Sequence, residues 1–471
     1  MFGLDAGMTL VLVICIFAAC CFEFINGFHD TANAVATVIY TNSMKPTVAV
    51  IWSGICNFLG VLVGGIAVAM GIVNLLPLSI LIDQSVAHSI AMIAALILTA
   101  ILWNLGTWYF GIPCSSSHTL LGSIFGVGLA YGFLPHVGVI ALNWQKVKDV
   151  FLFLLISPLI GFAFTMAVVL LVKQFVKYKK LFHEPVKKKA PPFWIRGFLI
   201  LTSTGLSFTH GQNDGQKGVG LLMIILIALV PVHFAVDHTM HPDKLMLQAN
   251  NIETVLSKVD PSGLSASGKA SLGIIKEKID TMQSTLTGVG NFKNLKKESN
   301  FEIRKDILII AKESSKILSP DVDDPILKLS KEDKVQLKDS ISEMKKFTEY
   351  APLWVILLIS ISLGLGTMIG WKRIVVTIGE KIGKEHMNYA QGASANLVTA
   401  ITIGVSSSFG LPVSTTHILS SGVAGSMFAT HGIKNLRMKM IKSIMIAWLV
   451  TLPVTILLSG SLFLLFRLFC N

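Results

Sequence analysis

Eleven apolar runs divide this sequence, near residues 8 to 27, 47 to 75, 88 to 110, 115 to 134, 149 to 176, 194 to 209, 218 to 236, 351 to 371, 390 to 409, 413 to 430 and 440 to 469. A helix needs about 20 largely apolar residues to cross a hydrocarbon core of about 30 Å. With 52% hydrophobic residues, the pattern is that of a polytopic membrane protein. Several runs are too short for a full span and others too long, so broken or re-entrant helices are expected among them.

The first run follows MFGLDAG, which carries neither a positive n-region nor a small-residue cleavage site, and it is read as a retained span. The six cysteines (Cys15, Cys20, Cys21, Cys56, Cys114, Cys470) form no C-x-x-C and lie in or beside apolar runs, which argues against a disulfide or zinc framework. Net charge is 39 − 27 = +12, but residues 237–350 hold 18 basic and 18 acidic side chains, so the excess belongs to the membrane part and its short loops. That is the positive-inside bias rather than a nucleic-acid footprint. The basic cluster KQFVKYKKLFHEPVKKK, residues 173–189, is accordingly expected on the cytoplasmic side.

Two polar interruptions repeat. NGFHDTANAV (26–35) and HGQNDGQKGV (210–219) align at an offset of 184, matching Gly27 with Gly211, Asp30 with Asp214 and Val35 with Val219. GIPCSSSHTLLGS (111–123) and GLPVSTTHILSSG (410–422) align at an offset of 299, matching His118 with His417. The offsets differ by 299 − 184 = 115, close to the length of the hydrophilic stretch 237–350. One duplication, later split by an insert, explains both.

The chain therefore divides into a first membrane repeat (1–177), a basic cytoplasmic linker (178–193), the start of a second repeat (194–236), a hydrophilic helical insert (237–350) and the rest of the second repeat (351–471). Within the insert, Ile303, Ile307, Ile310 and Ile317 fall at helical spacing, and DPSGLSASG (260–268) reads as a flexible joint. Internal repeats with matched polar breaks are the recurrent plan of secondary transporters, whose site lies between the repeats. The repeats must be inverted if the first half crosses an odd number of times, a count the short runs leave open.

A carboxylate in a span costs roughly 2.5–3.5 kcal/mol on insertion scales, so Asp30 and Asp214 call for a function. The structural alternative makes each an N-cap where a broken helix restarts, a role compatible with cation binding. Asn33 shares a face with Asp30, whereas the second copy has Lys217 there, able to pair with Asp214, snorkel or meet substrate. Glu23, two turns before Asp30, is a further buried acid suited to proton relay or pairing with Lys217. Ser115, Ser116 and Ser117, and their counterparts Ser414, Thr415 and Thr416, follow a Gly-x-Pro and precede an apolar run. Facing helix N-termini edged by hydroxyls would bind an anion without arginine; capping or small-residue packing is the structural alternative. The adjoining His29, His118, His210 and His417 are read first as hydrogen-bonded structural residues, with a proton role second. Two aspartates would repel an anion unless a cation or proton neutralised them, which couples anion entry to cation entry.

Together GFHDTANAVATVIYT, GIPCSSSHT, HGQNDGQKG and GLPVSTTH, with WNLGTWYFGIP and TIGEKIGK, resemble the inorganic phosphate transporter (Pit) family, particularly bacterial low-affinity phosphate permeases. The resemblance spans both membrane halves. It implies an all-α membrane fold of two inverted-topology repeats with about 10–12 transmembrane helices, in a bacterial inner membrane. It also implies phosphate symport with H+ or Na+, the phosphate carried as a neutral complex with a divalent metal such as Mg2+, without a resident cofactor, and a possible homodimer. Asp30, Asn33, Ser115, Ser116 and Ser117, with Asp214, Ser414, Thr415 and Thr416, carry over to substrate binding, and Asp30 and Asp214 to possible sodium sites. Lys217 departs from relatives with asparagine in both copies.

The alternatives are a sulfate permease, a membrane transferase using His and Asp, and a passive channel. Aspartates as hydrogen-bond acceptors favour phosphate over sulfate, which has no proton to donate at neutral pH. The absence of a G-x-x-x-x-G-K-[ST] loop weighs against a nucleotide-dependent enzyme, and a channel would ignore the cation gradient.

Overall fold

The computed structural model describes residues 2–76, 80, 85–112, 114–134, 142–186, 189–231, 233–259, 261, 264–318, 329–369 and 382–469. Cys470, most of TIGEKIGK, Pro113 of the first hydroxyl motif, and Asp260, Ser262 and Gly263 of the expected joint lie outside these residues. Among the described residues regular structure is helical, apart from an isolated bridge between Gly383 and Leu436. The chain forms two compact units, residues 4–225 with 351–471, and residues 1–3 with 226–350.

In the larger unit, α1 (Ala6–Tyr40), α2 (Pro46–Val63), α3 (Ala67–Val73), α4 (Val86–Tyr109), α5 (Ser116–Gly132) and α6 (Trp144–Phe175) precede α7 (Phe193–His210). A π-helical turn, Gly211–Gly215, joins α7 to α8 (Gln216–Leu229). Five helices among the described residues, α1, α2, α4, α6 and Met438–Leu468, are long and apolar enough to cross a membrane. All five described cysteines, Cys15, Cys20, Cys21, Cys56 and Cys114, are free thiols.

The aspartates do not sit where a broken helix restarts. α1 runs for 35 residues through Asp30 without interruption, capped at its start by Asp5, whose side chain accepts from the Met8 amide. Asp214 lies inside the π turn. Neither is an N-cap. No proline or glycine pair interrupts α1 near Asp30, and a wide π turn absorbs a misfit residue without ending a helix.

The smaller unit has α9 (Pro242–Leu256), α10 (Ala266–Leu286), α11 (Lys297–Ile317) and α12 (Lys331–Lys345) around one apolar core. Ile303, Ile307, Ile310 and Ile317 all face that core, as their spacing requires. Its two chain ends are pinned together: Arg304 donates to the carbonyls of Ala235 (3.0 Å) and Thr348 (3.1 Å), and the Asp237 amide donates to the Phe347 carbonyl (2.8 Å). Burial of this guanidinium pushes its pKa down to about 10. Adjacent ends let a domain interrupt a host chain with little disturbance to it.

In the larger unit α13 (Leu353–Thr367), α14 (Tyr389–Ser408), α15 (Thr415–His431) and α16 (Met438–Leu468) follow among the described residues. α4 and α14 end alike, with Gly111 at φ +67° and Gly410 at φ +68°. The following amides, Ile112 and Leu411, each donate 3.0 Å back to the carbonyl five residues earlier. This is the left-handed glycine stop, and it frees the chain to turn into α5 and α15.

Those two helices pack crosswise, α5 on α16 and α15 on α6. At the crossings a Cβ on Gly126 would come 2.3 Å from the Ile456 carbonyl, and one on Gly425 would come 2.2 Å from the Phe162 carbonyl. Gly126 and Gly425 are themselves 299 apart, so the duplicated sequence has duplicated its helix contacts. Each repeat thereby holds the other's short helix by small-residue packing.

Candidate binding site

α5 and α15 begin at the hydroxyl motifs. Ser115 and Ser414 are their N-caps, each accepting from a histidine amide three residues on (His118 N and His417 N, both 3.2 Å). The His118 ring also lies 2.9 Å from Ser115 Oγ. These two hydroxyls are committed to the helix ends, which is the structural alternative for this pair. The imidazoles of His118 and His417, equivalent residues of the two repeats, meet with ring centroids 4.3 Å apart. Residues that contact their own repeat partner lie at the axis of the duplication, so the two helix N-termini converge there.

The next hydroxyls turn to the aspartates. Ser116 donates to Asp30 Oδ2 at 2.9 Å and lies 3.5 Å from Asp214 Oδ2. Thr415 donates to Asp214 Oδ1 (2.9 Å) and Thr416 to Asp30 Oδ1 (2.8 Å). Asn33 donates to Asp30 Oδ1 (3.1 Å) and to Thr416 Oγ1 (3.0 Å). Lys217 donates to Asp214 Oδ1 (2.9 Å), to the Val413 carbonyl (2.7 Å) and to Ser117 Oγ, which itself donates to the Val413 carbonyl at 2.9 Å. Asp30, Asn33, Ser116, Ser117, Asp214, Lys217, Thr415 and Thr416 thus form one cluster, each at most 3% exposed.

Glu23 stands apart from it. Fully buried, it accepts from Asn26 Nδ2 at 3.0 Å through Oε1, while Oε2 faces Gly218 without a hydrogen-bond partner. Lys217 pairs with Asp214.

His210 proves more central than the sequence suggested. Its Nδ1 is 3.0 Å from Asn57 Oδ1, an oxygen that only accepts, so Nδ1 carries the proton. Nε2 then faces both carboxylates, 3.9 Å from Asp30 Oδ2 and 3.7 Å from Asp214 Oδ2, with no hydrogen-bond partner of its own. Ligand atoms of Asp30, His210 and Asp214 all lie within 4.8 Å of one another, a nitrogen and two carboxylate oxygens suited to a divalent cation. The only hint in sequence was His210 four residues before Asp214, one helical turn away. With neutral histidines, two aspartates and one lysine leave the cluster a net charge of −1.

A family profile described as "Phosphate transporter family" matches residues 26–459. A low-affinity inorganic phosphate transporter of Buchnera aphidicola (subsp. Acyrthosiphon pisum) is 42% identical, covering 98% of this chain and 97% of its own length. The low-affinity inorganic phosphate transporter PitA of Escherichia coli K12 is 40% identical over the same shares. A solved structure titled "The sodium-dependent phosphate transporter" shares the fold at a TM-score of 0.55 and 21% identity, covering 98% of this chain and 99% of that one.

Proposed function

The chain belongs to the phosphate transporter family, and from that premise we propose that it imports inorganic phosphate across a bacterial inner membrane by symport with H+ or Na+, the phosphate moving as a neutral complex with a divalent metal such as Mg2+. The carrying observation is that the hydroxyls at the start of α5 and α15 are hydrogen-bonded to two buried carboxylates. A hydroxyl has one proton to give. Ser116, Thr415 and Thr416 donate to a phosphate oxygen only if Asp30 and Asp214 find another partner.

A cation or proton at the carboxylates therefore frees the donors that receive the anion, and the anion stabilises the cation. This is coupling through shared groups, reciprocal by linkage. Main-chain N–H groups and the positive ends of α5 and α15 add further attraction for a tetrahedral oxyanion. Asp30, His210 and Asp214 hold the metal of the complex, and Glu23, unpaired and two turns away, is a second station for a proton. Labelled-phosphate uptake into proteoliposomes under imposed pH or sodium gradients tests the reading. Accumulation is expected with an inward cation gradient and with divalent metal present; uptake indifferent to both removes it.

The division of labour among the hydroxyls is testable separately. Ser116→Ala and Thr415→Ala each weaken phosphate affinity about tenfold or more, since a hydrogen bond to a charged group contributes roughly 1.5–3 kcal/mol. Ser115→Ala and Ser414→Ala instead cost roughly 0.5–2 kcal/mol of stability through the lost cap, with affinity little changed. Thermal melts with and without phosphate separate the two patterns. Identical behaviour of all four variants contradicts the assignment.

A further inference from the structure

We propose that Lys217 is a built-in cation: its ammonium permanently fills one of two repeat-related cation niches, leaving the Asp30 niche as the entry point for a mobile one. The inference rests on the transport reading above and names what sets its charge coupling. Position 217 corresponds to 33 at the offset of 184, and Ser117 corresponds to Thr416 at 299. Both side chains do the same thing in space. Asn33 donates to its own repeat's Asp30 and to Thr416 of the other repeat; Lys217 donates to its own repeat's Asp214 and to Ser117 of the other.

The difference is charge and saturation. An ammonium has three N–H donors, and Lys217 has three acceptors: Asp214 Oδ1, Ser117 Oγ and the Val413 carbonyl. A carboxylate, a hydroxyl and a main-chain carbonyl are all hard oxygens, the ligand type that binds alkali and alkaline-earth cations. Here they are closed around a tethered positive charge. On the other side Asp30 has no lysine, and Asn33 Oδ1 is buried without a hydrogen-bond partner. Oxygens of Asp30, Asn33 and Thr416 therefore line a niche with no permanent cation; the imidazoles of His29 (3.5 Å) and His210 (3.9 Å) adjoin its carboxylate, and with both neutral this niche carries the net −1 of the cluster.

Lys217→Asn makes the second niche like the first. In reconstituted vesicles this variant should carry about one more positive charge per labelled phosphate than the wild type, because a free cation now enters with each cycle. A second readout does not depend on transport. Purified K217N should gain thermal stability in sodium chloride over choline chloride beyond any gain of the wild type, as expected for a ligand bound only by the folded state. The double variant D214N/K217N should lose that extra gain. Should K217N fail to insert, Lys217→Gln carries the same test. If neither the charge per phosphate nor the sodium-dependent melting changes, Lys217 is a structural strut and the proposal falls. Wild-type vesicles that accumulate no phosphate would instead remove the transport reading, while the sodium melts would still decide the niche.

Discussion

Asp30→Asn lowers concentrative phosphate uptake by about 100-fold or more, equivalent to about 2.7 kcal/mol at 1.36 kcal/mol per decade. Asp30 Oδ1 accepts from Thr416 and Asn33, and Oδ2 from Ser116. An amide keeps one of these oxygens and replaces the other with an N–H group that faces donors. More costly for function, it removes the carboxylate that pairs with a mobile cation. No buried lysine depends on Asp30, so the misplaced N–H group should cost roughly 1–3 kcal/mol of stability, less than a stranded buried charge, and the protein should still fold and insert. Wild-type accumulation by a correctly inserted D30N protein contradicts the coupling scheme.

Asp214→Asn should behave differently, losing both uptake and stability. Its partner Lys217 is only 2% exposed, and removing one member of a buried ion pair costs roughly 3–5 kcal/mol because the other charge is stranded. A lower melting temperature and lower yield are expected for D214N, with both largely recovered in D214N/K217M, where no ammonium remains to compensate. Uptake should stay absent in that double variant. Melting of D214N at the wild-type temperature contradicts a buried pair at this position.

What the sequence exposes and what it hides follow from the range of each interaction. Asp30, Asp214 and the hydroxyl motifs stand out because a polar residue in an apolar run is costly, and a costly feature found twice at one offset is not chance. Periodicity alone places Ile303, Ile307, Ile310 and Ile317 on the buried side of α11. The course of the backbone at the aspartates is less legible. A short polar stretch with glycines suggests a break, yet in α1 the helix continues and in the second copy it widens into a π turn. Ser115 and Ser116 are neighbours of the same type, and only the rotation of the first helical turn makes one a cap and the other a donor to Asp30. The placing of His210 beside Asp30, and of the Val413 carbonyl under Lys217, arises from contacts between segments 210 − 30 = 180 and 196 residues apart. No local pattern carries such information.

The crosswise packing of α5 on α16 and of α15 on α6 has a consequence for synthesis in time. Chains emerge N-terminus first, and their parts fold as they appear. α5 ends at Gly132 and its partner α16 begins at Met438, so 438 − 132 = 306 positions separate a glycine face from the surface that covers it. Until then the Gly122 and Gly126 face of α5 has no α16 to pack on, and until α15 emerges the hydroxyls at its start have no Thr415 or Thr416 beside them. The first repeat is thus an unfinished half: α15 brings the last of its binding groups, and the helix that carries Ser116 and Ser117 is covered only when α16 enters the bilayer. A chain truncated before α16 should be inserted yet unable to hold its own pocket together, and a separately expressed second half should rescue it.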